Sequence, residues 1–491
     1  MTGERKSYQT ITASLSLFGG LQVFSSLLGV LRSKLVAVLM GAEGMGILGL
    51  LNGVFGLLAG VGGLGIETSA VKFIAGKTAT GNDDAIARIV RLVRYWGWIT
   101  AATSAAVVAI TASWLSVLTF GSDDRRGLLI WLSGALLFKV VSSSQLAILQ
   151  GTQRLNDMAR ATFLGNLLGF GATVPLLYFG RIEGLAPSLF AMAACAWVTA
   201  SLYTRRVVTK NIRLSKGEVL QEGKGLLRLG VSFGIAGLAT VAAQYLVQVY
   251  INRYGTLAEV GYYSAGMTFL TSYVGILFTA MSADYFPRLS SVSDDRSQTR
   301  ALLTQQSIVG LLVLLPVVLA FLLFSDWIVD LVFSRAFRSI TPFIAFGMFG
   351  MLCRAVSFSI GYVILAKADA RLFICTSLGF NSLFLVSMVA GYEIGGLAGM
   401  GIAFAGYYAV HLVSLLMIVK IRYGLTFNPG IGSVGAVAFG MAILALLATF
   451  MSDTLHYVIG GFALGSGSVY AFIQLDRRAG LKETIARKFK R

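Results

Sequence analysis

The sequence predicts an all-α, polytopic integral membrane protein with about fourteen transmembrane helices. Three observations carry that expectation. The 491 residues are 56% hydrophobic and only 13% charged, and the mean hydropathy is +0.77, well outside the range of water-soluble domains. Apolar runs long enough to cross a bilayer, about 20 residues each, recur along the whole chain. Lysine and arginine crowd into alternate connecting loops. Segments of about ten alternating residues, the mark of a membrane barrel, are not visible.

The runs lie near residues 12–40, 47–75, 92–119, 127–150, 161–180, 185–204, 228–252, 259–283, 302–324, 340–366, 371–391, 394–419, 432–451 and 455–474. Met1 to Thr10 is short and polar, and no small-residue cleavage site closes the first run, so that run reads as a span and not as a signal peptide. Of the 40 basic residues, with Arg94, Arg228 and Arg371 at span edges counted with the adjoining loops, 29 fall in the termini and even-numbered loops, six in the odd-numbered loops and five inside spans. The positive-inside rule then places both termini in the cytoplasm. The net charge of +18 is accounted for by topology and contact with anionic lipid, and nucleic acid is not implied.

The basic stretch 205–227 separates a first set of six spans (residues 1–204) from a second set (228–420). Two extra spans occupy 421–474, and a basic tail covers 475–491. In that tail Leu481, Ile485 and Phe489 recur every four residues among basic side chains, a pattern that suits an interfacial helix or a solvated tail. The two sets of six suggest an internal repeat. A turn with Glu43 leads to Gly46-Ile47-Leu48, and a similar turn with Glu259 leads to Gly261-Tyr262-Tyr263.

No phosphate-cradling loop, zinc spacing, acid pair or Ser-His-Asp order stands out, which points away from an enzyme. Cys195, Cys353 and Cys375 all lie in apolar runs and are expected as buried, inert thiols. Glycine-rich stretches such as Gly60-Val61-Gly62-Gly63-Leu64-Gly65 suit close packing and bending of helices.

The informative residues are the charges inside the spans. An ionisable group at the bilayer centre costs about 2.5–3.5 kcal/mol on insertion scales, so such groups usually face a bundle interior or a watery cavity. Five are basic: Arg32 and Lys34 in the first span, Lys72 in the second, Lys139 in the fourth and Arg354 in the tenth. Only Glu67 is acidic at comparable depth. Arg32 and Lys34 are about 200° apart on a helix, so one is expected to line a cavity while the other snorkels or pairs with an acid. Lys72 reads as a headgroup anchor, whereas Lys139 and Arg354 lie too deep to snorkel easily. Glu67 suits a counter-ion to Arg32 or Lys34, or a carrier of a coupling proton or sodium ion; His411 is a second coupling candidate or a packed histidine. In the seventh span Gln244, Gln248 and Asn252 form a stripe that suits sugar hydroxyls, a wet cavity wall or interhelical hydrogen bonding. A basic excess calls for an anion, and arginine and lysine suit phosphate. A diphosphate headgroup with attached sugars would use the charges for its phosphates and the amides for its sugars.

Three stretches stand out: Leu35-Val36-Ala37-Val38 through Gly46-Ile47-Leu48-Gly49, Leu331 to Phe337, and Gly361-Tyr362-Val363-Ile364-Leu365-Ala366-Lys367-Ala368-Asp369-Ala370-Arg371-Leu372-Phe373. They resemble the Wzx-type flippases of lipid-linked oligosaccharides, such as the O-antigen translocases. That superfamily also holds the lipid II flippase and the multidrug extruders of the MATE type. Pro287-Arg288-Leu289-Ser290 fits the wider superfamily. The likeness covers about residues 15–420. It implies two six-helix lobes in a V, alternating access to a cationic central cavity, and coupling to a proton or sodium gradient. The implied cargo is an undecaprenyl-diphosphate-linked oligosaccharide, carried from the cytoplasmic to the periplasmic leaflet of a bacterial inner membrane. It also implies membrane lipids, a polysaccharide polymerase and a chain-length regulator as partners, and no cofactor. Lys34 and Arg354 match basic positions of the family. The chain departs from it in the two extra helices and in lacking an acid just before Arg354, where Gly350-Met351-Leu352-Cys353 stands.

Two other functions compete. A MATE-like antiporter of organic cations would want acids in its cavity, and this chain offers mainly bases. An oligosaccharide polymerase or ligase typically needs a large periplasmic loop, and the longest odd-numbered loop has about 15 residues.

Overall fold

Every regular element of the computed structural model, which describes residues 2–78, 82–207 and 216–479, is helical. Packing divides the chain into two units, Met1–Ser264 and Ala265–Arg491. The first holds α1 (Thr2–Gly62), α2 (Ile66–Thr78), α3 (Asp83–Ile110), α4 (Ala112–Phe120), α5 (Arg126–Gly151), α6 (Leu155–Gly180), α7 (Leu185–Thr204), α8 (Lys216–Tyr254) and most of α9 (Leu257–Met267). The second continues with a π-helical turn, Thr268–Tyr273, then α10 (Gly275–Ser291), α11 (Arg296–Val332), α12 (Thr341–Ala366), α13 (Ala370–Tyr423), α14 (Ile431–Ala448) and α15 (Asp453–Ala479).

The expected count of fourteen spans is not confirmed. Among the described residues ten helices are long and apolar enough to cross a membrane, or eleven if α3 and α4, bent by 69°, form one span. Glycine explains part of the difference. α1 turns at Gly41 (φ 65, ψ −157) and α13 at Gly395 and Gly396 (φ 56 at the latter). Positive φ costs glycine little, so at each of these points the helix is broken and the chain turns, and a tally of continuous apolar elements takes two expected spans as one.

Lipid tails are as apolar as leucine, so helices in a bilayer are held by close contact and polar bonds more than by hydrophobic burial. The first unit shows this at Gly46 and Gly261. A methyl built on Gly46 would strike the carbonyl oxygen of Leu257, and one built on Gly261 would strike that of Ala42. Each glycine thus faces the carbonyl four residues before the other, an approach open only to Cα–H groups. Further along α1, where α8 crosses it, Gly53 lies against Gln248 and Tyr245. The Tyr245 and Thr119 hydroxyls are 2.7 Å apart. Ile66, Ala70 and Ile74 of α2 pack with Val90, Val93, Ile148 and Leu226 to form an apolar core under α2.

Of the expected basic linker, residues 208–215 lie outside the described residues and 216–227 form the first turns of α8. Two arginines hold the start of that segment: Arg94 donates to the Thr204 carbonyl at 2.9 Å and Arg154 to the Arg206 carbonyl at 3.1 Å. The tail pattern of Leu481, Ile485 and Phe489 also lies outside the described residues.

In the second unit α14 and α15 dock on α11, where Ile308 and Leu312 pack against Val434 and Ala471. Polar bonds fix the chain entering α14. Arg300 donates to the Phe427 carbonyl at 2.7 Å, and the Asn428 amide donates to Thr304 Oγ1 at 2.9 Å.

Asp369 ties the start of α13 to its end. Its carboxylate accepts from the Leu372 amide at 3.1 Å and from Arg422 and Tyr423 at 3.3 Å. The Leu372 amide, then the Arg422 guanidinium, hold this carboxyl below its ordinary value of 3.8. A carboxyl depressed in the fold stabilises above its unfolded pKa and loses that contribution as pH falls through the folded one. The tie is therefore expected to survive at about pH 4 and to fail in more acid solution. Hydrogen exchange at the Leu372 amide, compared with Asp369→Asn, measures this; protection already lost near pH 5 would contradict it.

The cysteine expectation needs one correction. Cys353 is buried and Cys195 half-buried, but Cys375 is exposed on α13. An apolar run does not distinguish a side chain facing lipid from one facing protein, and in a bilayer both are apolar.

Candidate functional site

The glycine run at the end of α1 breaks the helix. Leu64 (φ 47) and Gly65 (φ 63) adopt left-handed backbone, and α2 starts anew at Ile66. Gly65 lies directly against the Gly230 carbonyl of α8, so the two backbones meet with no side chain between them. Beside this break is a cavity of about 290 Å³. Gly56, Gly60 and Gly63 of α1 and its turn, Gly234 and Gly237 of α8, and Glu67 and Thr68 of α2 line it. From α5 come Lys139, Val140, Ser143 and Ser144, which share one face because 139/143 and 140/144 are four residues apart.

The cavity brings together two of the residues singled out in the sequence, Glu67 and Lys139. Among the described residues they are its only charged lining groups, and no salt bridge joins them. Glu67 sits in the first turn of α2, where the positive end of the helix dipole favours a carboxylate. Lys72, further along α2, is exposed.

Arg32 is different. Its Nε and Nη2 atoms are buried and lack any hydrogen-bond partner among the described residues. A buried donor left unsatisfied costs about 1–3 kcal/mol, and more when charged. Lys34, two residues on, is half-buried.

The stripe on α8 is largely taken up by helix contacts. Asn252 donates to the Thr119 carbonyl at 3.0 Å. Gln248 reaches Ser264 Oγ at 3.5 Å, while its Oε1 is buried without a partner. Gln244 is half-buried one turn before it.

In the second unit Arg354 lies between two rings, 4.9 Å from the Phe278 centroid and 5.5 Å from that of Tyr408. Its Nη1 also meets the Met351 sulfur at 3.9 Å. No carboxylate pairs with it among the described residues. Aromatic faces attract a guanidinium but leave its in-plane N–H groups free for an oxyanion. His411 stands in the same cluster, 4.3 Å from the Phe380 ring and 5.9 Å from that of Tyr408, with Nδ1 buried and unpartnered. Thr68, Ser143, Phe278 and Tyr408 were not singled out from the sequence. For Ser143 the spacing from Lys139 was a usable signal; the rings around Arg354 come from other helices and left none.

The elements define a polytopic helical membrane protein with a broken helix at a polar cavity, and comparison with solved structures gives the same fold. The fold matches the lipid II flippase MurJ in an inward closed conformation, with a TM-score of 0.73 and 12% identity over 94% of this chain and 99% of that one. It also matches a MATE-family multidrug resistance transporter of the MOP superfamily in an inward-facing conformation, with a TM-score of 0.64 and 17% identity over 85% and 98% of the two chains. The chain belongs to the polysaccharide biosynthesis protein family, which matches residues 35–342. Among curated relatives, the lipid III flippases of Escherichia coli (strain K12) and Shigella flexneri are each 24% identical over 402 residues, spanning 78% of this chain and 91% of theirs. The resemblance read from the sequence is thereby borne out.

Proposed function

We propose that this protein is a flippase that carries an undecaprenyl-diphosphate-linked oligosaccharide across the bacterial inner membrane by alternating access. The observation that supports it best is Arg32, a buried guanidinium with two unpaired nitrogens. A cation held at such cost inside a bundle calls for an anionic ligand. Lys34 in the same unit, and Arg354 in the second, where no acid pairs with it among the described residues, are further basic groups for such a cargo. The lipid III flippase relatives support the same reading at the level of cargo class. In this reading two six-helix lobes carry the movement and both termini lie in the cytoplasm. A proton or sodium gradient drives it through Glu67 or His411, and a polymerase with its chain-length regulator takes the product.

The test is a leaflet assay with a fluorescent lipid-linked oligosaccharide in proteoliposomes. Wild-type protein is expected to move the lipid faster than protein-free vesicles, and Arg354→Gln to lose about tenfold or more of that rate, as removal of a charged phosphate contact costs. Undiminished flipping by Arg354→Gln would remove Arg354 from the mechanism, and flipping no faster than in empty vesicles would reject the function.

A further inference from the structure

Among the described residues the cavity beside the broken helix is lined by one carboxylate, Glu67, and one ammonium, Lys139. That balance suits it poorly to a diphosphate, because Glu67 would repel the phosphates that Lys139 attracts. Arg32 and Arg354 are under no such restraint, since neither is paired with an acid among the described residues. The remaining lining is rich in groups that match a sugar. Glu67 offers two acceptor oxygens and Lys139 three donors, and the hydroxyls of Thr68 and Ser143 can donate or accept. Ser144 already donates to the Val140 carbonyl at 3.0 Å and keeps its lone pairs. At about 290 Å³ the space is at the small end of ligand pockets, which run from about 300 to 1,000 Å³; it takes one sugar ring and not an oligosaccharide. Glycine walls let that ring lie against backbone.

Resting on the flippase reading, we propose that this cavity binds one neutral or zwitterionic sugar of the headgroup, and that Glu67 and Lys139 are specificity-determining residues for that sugar and not ligands of the diphosphate. A uronic acid in the same place would meet the Glu67 carboxylate and be disfavoured.

Binding to the full-length protein in nanodiscs tests this with three probes: a sugar-free polyprenyl diphosphate, the same lipid bearing one N-acetylhexosamine, and the same lipid bearing one hexuronic acid. In wild type the neutral sugar is expected to tighten binding about tenfold or more over the sugar-free lipid, as one hydrogen bond to a charged group would already give. Glu67→Gln and Lys139→Met should each erase most of that gain while leaving sugar-free binding within about twofold. Lys139→Arg, which keeps the charge, should retain part of it. Glu67→Gln should also raise affinity for the hexuronic lipid. If Lys139→Met weakens the sugar-free lipid as much as the glycosylated one, Lys139 is a phosphate ligand and the proposal falls. It also falls if the sugar adds nothing in wild type. Failure of all three lipids to bind would instead overturn the flippase reading itself, and this proposal with it.

Discussion

Alanine at Gly65 is expected to lower stability more than any other single methyl added to the first unit. Two independent costs coincide there. The residue has φ 63, a backbone conformation that costs an ordinary L-residue roughly 1–2 kcal/mol. A methyl would also run into the Gly230 carbonyl, and forcing atoms into a packed site typically costs about 1–3 kcal/mol. Backbone cannot rotate out of the way as a side-chain tip can, so α2 must shift and the cavity between Glu67 and Lys139 must change shape with it. The expected loss is about 2–5 kcal/mol, read as a lower thermal midpoint in detergent. Gly76→Ala is the matched control. It lies in α2, the helix that Gly65 precedes, with nothing within 4 Å of the added methyl, and an exposed helical glycine gains about 0.4–1 kcal/mol on becoming alanine. Equal midpoints for the two variants would show that the break at Gly65 is not strained by substitution.

The second large effect has opposite signs in two assays. Arg32→Met keeps the length and apolar stem of the side chain and removes the buried charge. Because Nε and Nη2 have no partner among the described residues, methionine is expected to stabilise the protein by about 1–3 kcal/mol. The same change should abolish most lipid flipping. A residue that makes a protein less stable than it need be, and whose removal costs activity, is held there by function. A destabilised Arg32→Met protein would instead mean that the guanidinium has a structural partner and that its place in the transport reading is wrong.

Some of this was legible in the sequence for simple reasons. A bilayer allows few architectures, so repeated apolar runs give a helical bundle almost directly. The glycine run 60–65 was readable as packing and bending, and α1 does break there. The pairing of Glu67 with Lys139 was not readable. The two residues lie on α2 and α5 and meet only because Ile66, Ala70 and Ile74 pack into the core shared with Ile148. The same holds for Arg354, whose rings at Phe278 and Tyr408 arrive from α10 and α13. The amide stripe on α8 left two readings open, and for Asn252 the structure favours helix-to-helix bonding at Thr119. The span count failed to be confirmed for a related reason. Hydropathy marks where apolar residues lie, while glycine geometry decides whether the helix stops or turns.

The meeting of Gly46 with Gly261 has a kinematic consequence. Helices that interlock through side chains settle into a few preferred crossing angles, because ridges must fit grooves. At Gly46 and Gly261 there is neither ridge nor groove, only backbone on backbone, whereas about one turn on the Ser264 side chain sits against Gly49. The glycine contact is thus a point about which the two helices can swivel, and Ser264 against Gly49 is the nearest side-chain contact such a swivel would have to move.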